Sequence, residues 1–213
     1  MNWTVPNVLT VARLGLLPLI VVLIWPTIET RETCFWAAVV FALAGALDML
    51  DGAIARRMNQ VTVFGKFLDP LADKLFYLTT LIALLQLQGP RVPPWLVMII
   101  LTRELAITGL RGIAASEGIV IAAGEGGKVK TSFATVGTIG LLMHYPYLIN
   151  FGFARVTIDM HRTGLWLTYL ATGFAVTSGV EYLVGFSRAL KDKERAIQAQ
   201  SPIIEREPRR KSG

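Results

Sequence analysis

Asp48-Met49-Leu50-Asp51-Gly52-Ala53-Ile54-Ala55-Arg56, followed after a short interval by Gly65-Lys66-Phe67-Leu68-Asp69-Pro70-Leu71-Ala72-Asp73, is the stretch on which the reading of this chain turns. Apolar runs lie on both sides of it. Asp48 and Asp51 are three residues apart and share one face of a helix, and Asp69 and Asp73, four apart, do the same. A short loop carrying Gly65 lets the two pairs face each other. Four carboxylates so gathered repel, each like pair by roughly 4 kcal/mol at about 4 Å and an effective dielectric near 20. Arg56 alone does not offset that, whereas a divalent cation does, and hard oxygen ligands suit Mg²⁺ or Mn²⁺. Sites of this kind serve phosphoryl and diphosphate chemistry.

The flanks of the motif set the fold class. The chain has 213 residues, 53% hydrophobic and only 17% charged, and a mean hydropathy of +0.52. That is the composition of a membrane protein. Six apolar spans of membrane-crossing length are read near Val8–Trp25, Cys34–Ala55, Phe67–Gln88, Pro94–Ala115, Thr131–Ile149 and Gly164–Phe186. The expectation is an all-α, polytopic integral membrane protein with six transmembrane helices. Residues 1–190 form its membrane domain and residues 191–213 a basic, disordered cytoplasmic tail. Pro70 after Asp69 fits the first turn of a helix, with Asp69 as its N-cap. Cys34 is alone, so no intramolecular disulfide forms. The first apolar stretch carries Arg13, follows no basic leader and reads as a retained helix.

Charge gives the orientation. Arg57, Lys66, Lys128, Lys130 and the tail fall on one side, and Arg31, Arg91, Arg155 and Arg162 on the other. The larger set faces the cytoplasm, which turns the motif toward soluble phosphorylated metabolites. Half of the net charge of +6 resides in the tail, where contact with anionic lipid accounts for it. The tail lacks interleaved aromatics, so nucleic acid is not expected as a partner.

Small residues stand where backbone must approach a ligand. Gly52 leaves room for a nucleotide beside Asp51, and Arg56 can meet phosphate oxygens in a bidentate way. Arg103, Ile107 and Arg111 step by four, so the two arginines are expected to project from one face toward the carboxylate cavity. With Lys128 and Lys130 they form a candidate pocket for an acceptor's phosphate. Glu104 can orient Arg103. Arg13 either lines the nucleotide pocket or neutralises a motif aspartate. His144, with Tyr145 and Tyr147, reads as part of an interfacial aromatic belt, and His161 has no evident partner. Gly137 and Gly140 allow close helix contact. A transporter or Mg²⁺ channel is the distant alternative, but neither paired repeats nor interrupted midplane helices are found.

The eight positions Asp48, Asp51, Gly52, Ala55, Arg56, Gly65, Asp69 and Asp73 together resemble the signature of the CDP-alcohol phosphotransferase family. The likeness extends to Pro6-Asn7-Val8-Leu9-Thr10-Val11-Ala12-Arg13, to Asp69-Pro70-Leu71-Ala72-Asp73-Lys74, to Arg103 through Arg111, and to Gly127-Lys128-Val129-Lys130-Thr131. The resemblance implies transfer of the phosphatidyl group of CDP-diacylglycerol to sn-glycerol 3-phosphate, giving phosphatidylglycerophosphate and CMP. Serine, an inositol phosphate or phosphatidylglycerol are the other acceptors the chemistry admits. It implies Asp48, Asp51 and Asp69 as metal ligands, and Asp73 as general base that also touches a second metal. It places Gly52, Arg56 and Thr62 against the CDP moiety, with Asn7 and Thr10 lining the nucleotide pocket. It also implies a homodimer.

Overall fold

The computed structural model describes residues 5–58, 63–87, 91–119, 126–150, 152 and 155–200, apart from the side chains of 5–7, 48–70, 126–129, 197, 199 and 200. Six helices run along it: α1 (Val5–Leu23), α2 (Arg31–Met58), α3 (Val63–Ala83), α4 (Pro94–Ser116), α5 (Gly126–Met143) and α6 (Met160–Gln200). The six expected apolar spans each coincide with one of them. Among the described residues, no helix is long and apolar enough to cross a membrane. In α4 the reason is visible, since Arg103, Glu104 and Arg111 interrupt its apolar run.

Several boundaries differ from the sequence reading. α3 begins at Val63, so Gly65 lies in its first turn and Asp69 and Pro70 lie inside the helix, not at its start. α6 extends to Gln200, which makes residues 191–200 helical where a disordered tail was expected; residues 201–213 lie outside the described residues. Lys193 on this extension donates to the carbonyl and to Oε2 of Glu117, both at 2.7 Å, just past the end of α4. That bond holds the Glu117 carboxyl below the usual carboxylate range. α4 itself starts with Pro93-Pro94, whose fixed φ suits a first turn. It stops at Gly118, whose φ of +69° supplies the left-handed residue that closes many helices.

The fold is not purely helical. Pro146–Asn150 (β1) pairs antiparallel with Arg155–Asp159 (β2), Leu148 opposite Thr157. The Asn150 side chain accepts the Gly152 N–H at 3.0 Å in the turn. Arg31 at the head of α2 anchors this hairpin, donating to the Pro146 carbonyl at 3.0 Å and lying 4.5 Å over the Tyr147 ring. Asp159 then caps α6 by accepting the Arg162 N–H at 3.0 Å. Tyr147, Leu148 and Ile149 resume the apolar run of α5 after His144-Tyr145-Pro146, which is why the fifth expected span reaches Ile149.

Ile20 of α1, Ile24 just past its end, Phe41 of α2, Phe76 and Leu81 of α3, Leu96 and Ile100 of α4 and Leu141 of α5 form one buried core. Phe41 and Phe76 stack at 5.2 Å and join α2 to α3. The tightest junction lies between α5 and α6. A Cβ on Gly164 would fall 2.5 Å from the Leu141 nitrogen, and one on Gly140 would fall 2.7 Å from the Gly164 Cα. Gly137 has the same character, meeting Thr168. The close contact expected at Gly137 and Gly140 is therefore present, with Gly164 completing it.

At the hairpin end, Arg91 is almost fully buried. Its Nη1 donates to the Leu141 and Leu142 carbonyls at 3.3 and 2.9 Å, and its Nη2 to Glu29 and to the Cys34 sulfur. Counted from the sequence as a loop charge, it is an internal cross-link between four segments. His161, read as having no partner, has its Nδ1 3.3 Å from Nδ1 of His144. Burial pushes the His161 imidazole below its ordinary value.

Candidate active site

The motif positions occupy the opposite end of the bundle. Asp48, Asp51, Gly52 and Arg56 lie in the last turns of α2, and Asp69 and Asp73 lie in α3. Only Asp73 of these has a described side chain. Thr62 lies outside the described residues, as do the side chains of Asn7 and Lys128 in the first turns of α1 and α5. Thr10 on α1 is buried. Among the described residues no three His, Cys, Asp or Glu side chains are gathered for a metal, and three of the four motif aspartates fall outside that statement.

A cavity of about 530 Å³ opens here between α1, α2, α3, α4 and α5. Gly45 and Ala46 of α2 line it just before Asp48, and Asp73, Lys74 and Tyr77 of α3 face it. Glu104, Lys130 and Thr131 complete the far wall. Its size suits a small-molecule site. Asp48 and Asp51 thus stand one turn apart on α2, and Asp69 and Asp73 one turn apart on α3, two helices that also line the cavity. This donor set fits a divalent cation.

Arg13 reaches this cavity from α1 and is 4% exposed. Its Nη2 donates to Asp73 Oδ1 at 3.0 Å, and its guanidinium lies 5.0 Å from the Phe76 ring centroid. Of the two roles left open for Arg13 by the sequence, the pairing with a motif aspartate is present, and Arg13 also lines the cavity. The Asp73 side chain stays 59% exposed, open to a substrate while one oxygen is held.

The basic set divides. Lys130 lines the cavity with its ammonium on Glu104. Arg103 and Arg111 do share a face, but that face looks to α6 rather than into the carboxylate cavity. Arg103 Nε donates to the Ala175 carbonyl at 2.8 Å, and Arg111 lies 5.5 Å over the Tyr182 ring. Arg103 lines instead an apolar groove of about 400 Å³ between α4 and α6. Glu104 does pair with Arg103, at 2.8 Å, and it also bridges Arg103 to Lys130. Sequence reasoning missed Lys74. Its ammonium donates to Thr108 Oγ1 on α4 from a position next to Asp73. Its place at the end of the quoted Asp69–Lys74 stretch was the available signal.

The sequence model of the CDP-alcohol phosphatidyltransferase family matches residues 3–177. The chain is similar, at 37% identity over 199 residues, to a Bacillus subtilis protein named CDP-diacylglycerol–glycerol-3-phosphate 3-phosphatidyltransferase, covering 89% of this chain and 98% of the relative. A Haemophilus influenzae protein of the same name is 32% identical over 185 residues, 86% of this chain and 93% of its own. A Streptomyces coelicolor cardiolipin synthase (CMP-forming) is 40% identical over 116 residues, 54% of this chain and 53% of its own. With a match from the start of α1 into α6, spanning every helix that lines the cavity, the chain belongs to the CDP-alcohol phosphatidyltransferase family.

Proposed function

We propose that this protein transfers the phosphatidyl group of CDP-diacylglycerol to sn-glycerol 3-phosphate, forming phosphatidylglycerophosphate and CMP. The observation that carries the reading is one cavity with the half-exposed Asp73 carboxylate and Lys74 on one wall and Lys130 on another, at the motif end of α2 and α3. The near full-length likeness to two proteins named for this reaction supports it.

In this reading Asp48, Asp51 and Asp69 would hold Mg²⁺ or Mn²⁺, and Asp73 would also contribute to a second ion. A bound divalent cation supplies charge neutralisation on the diphosphate and on the departing CMP. Gly52 leaves space for the nucleotide, Arg56 and Thr62 bind the CDP moiety, and Asn7 and Thr10 border it. The acceptor's hydroxyl oxygen attacks the phosphorus bearing the lipid. The new O–P bond forms as the bond to CMP breaks, and the hydroxyl proton passes to Asp73. Arg13 fixes one Asp73 oxygen and so orients the carboxylate for that proton.

The test is an acceptor panel. Purified protein is given labelled CDP-diacylglycerol, Mg²⁺ or Mn²⁺, and glycerol 3-phosphate, glycerol, serine, inositol phosphate or phosphatidylglycerol. Glycerol 3-phosphate should be the preferred acceptor and glycerol a poor one. Equal use of glycerol or serine would remove the phosphate-recognition reading. Preference for phosphatidylglycerol would instead align the chain with the cardiolipin synthase likeness.

The same reading embeds the bundle in a bacterial inner membrane as a homodimer with the cavity facing the cytoplasm. Large apolar side chains cover the outer faces of the helices, Met98 and Trp166 being 67% and 68% exposed, which suits lipid contact. Thr80, Thr138, Thr168 and Thr172 each turn the hydroxyl back onto a carbonyl of their own helix at 2.8 Å. Polar groups satisfied this way need no water. On a Cys34→Ser background, Arg195→Cys should react with an impermeant thiol reagent only from the cytoplasmic side. Thr157→Cys in the hairpin should react only from outside, and the reverse pattern would overturn the orientation.

A further inference from the structure

His144 and His161 are the chain's only two histidines, and they meet. Their Nδ1 atoms lie 3.3 Å apart, and the rings stand edge to face with centroids 4.9 Å apart. His144 directly follows the last residue of α5, and His161 is the second residue of α6. The chain between them carries β1 and β2, so the contact closes the hairpin at its base. His144 holds a φ of 58°, in the left-handed region that side chains rarely adopt. Its backbone N–H donates to the Gly140 carbonyl at 3.0 Å.

A neutral imidazole has one N–H and one bare nitrogen. Two Nδ1 atoms at this distance bond only when one donates and the other accepts. A proton added to one ring keeps that arrangement, because the cation donates and the neutral ring accepts. Protons on both rings leave two N–H groups and two like charges face to face. The surroundings add to the conflict. Arg91 is a buried cation beside both rings and already holds Glu29. Asp159 on β2 is the other nearby anion, and its Oδ1 accepts the Arg162 N–H at the head of α6. Tyr145, edge-on to His144 at 5.1 Å, and Cys34, against Arg91, carry no charge in acid. Burial first, then Arg91 and His161, push the His144 imidazole below its ordinary value, against a smaller pull from Glu29 and Asp159. Burial does the same for His161, opposed by Asp159 and assisted by Arg91.

We propose that His144 and His161 form an acid-sensitive latch, closed while one ring is neutral and released when both are protonated. The latch acts on the hairpin and not on the helices, because the Gly140–Gly164 crossing lies one turn inside it on α5 and α6. A two-stranded hairpin is marginal by itself, so it loosens once its base opens. Arg31 on the Pro146 carbonyl stays as a tether. The closed latch binds fewer protons than the open one. Closure is therefore complete above the ordinary imidazole value of 6.5 and is lost as pH falls below it.

Hydrogen exchange on the full chain in detergent tests this, with protection factors removing the intrinsic pH dependence of exchange. From about pH 7.5 to about pH 5, protection of the β1 and β2 amides should fall about tenfold, the effect of one pKa unit of linkage. Amides around Gly140 and Gly164 should keep theirs. His161→Gln should flatten the dependence, and so should His144→Asn, which tolerates a positive φ, since neither leaves two rings to charge. Ring-labelled histidine gives two signals to titrate by NMR in the unaltered protein. At least one should titrate below 6.5, and each should move its titration when the other histidine is replaced. Hairpin protection that does not change with pH overturns the proposal. So does a loss in acid that survives both replacements, or two rings that titrate independently at their ordinary value.

Discussion

Asp73→Asn is expected to lower turnover about 10²- to 10⁴-fold, the usual cost of losing a general base, while CDP-diacylglycerol binding stays largely intact. The substitution is nearly isosteric, and an amide oxygen can still accept the Arg13 hydrogen bond now made at 3.0 Å to Asp73 Oδ1. The cavity wall should therefore keep its shape. What disappears is the oxygen able to take a proton from the attacking hydroxyl. Donor binding and single-turnover rate, measured on the same preparation, separate the two effects. A variant that loses donor affinity in proportion to rate would make Asp73 a ligand and not a base.

Arg91→Leu is expected to destabilise the fold by about 3–5 kcal/mol, the cost of breaking a buried charge pair from one side. Arg91 is 2% exposed. Its removal strands the Glu29 carboxylate, whose side chain is 18% exposed, and uncovers the Leu141 and Leu142 carbonyls at the end of α5. Those carbonyls have no partner within the helix and carry its negative pole. Thermal unfolding in detergent should show the loss as a lower midpoint. Adding Glu29→Gln should recover part of it, because the stranded charge is then gone. A midpoint unmoved by Arg91→Leu would show that the cross-link contributes nothing.

The sequence made the helices legible because each carries a long, largely apolar run. It hid the hairpin because a strand of Tyr147, Leu148 and Ile149 at the end of such a run carries no polar alternation. Local spacing was equally readable as far as the backbone: Asp48 and Asp51 fall on α2, and Asp69 and Asp73 on α3. Contacts that depend on which helix lies opposite were not. The four-residue step from Arg103 to Arg111 identifies a shared face, yet nothing local says that α6 covers it. Gly137 and Gly140 could be picked out as small residues on one stripe. Gly164 matters only because α6 crosses at that height, which is a fact of tertiary packing. The Glu104–Lys130 and Arg13–Asp73 pairs span 26 and 60 residues of chain, and no window on the sequence joins them.

The glycine crossing also limits how the molecule can move. Most helix pairs are separated by a layer of side chains that can change rotamer and let one helix slide past the other. Where Gly140 and Gly164 meet, that cushion is missing, and backbone bears directly on backbone. Shear there has no soft element to absorb it, so α5 and α6 must travel as a single strut. Lys130 is carried on that strut, whereas Asp73 and Lys74 are carried on α3. Any displacement of α3 against that strut would register directly in the separation of Asp73 from Lys130 across the cavity.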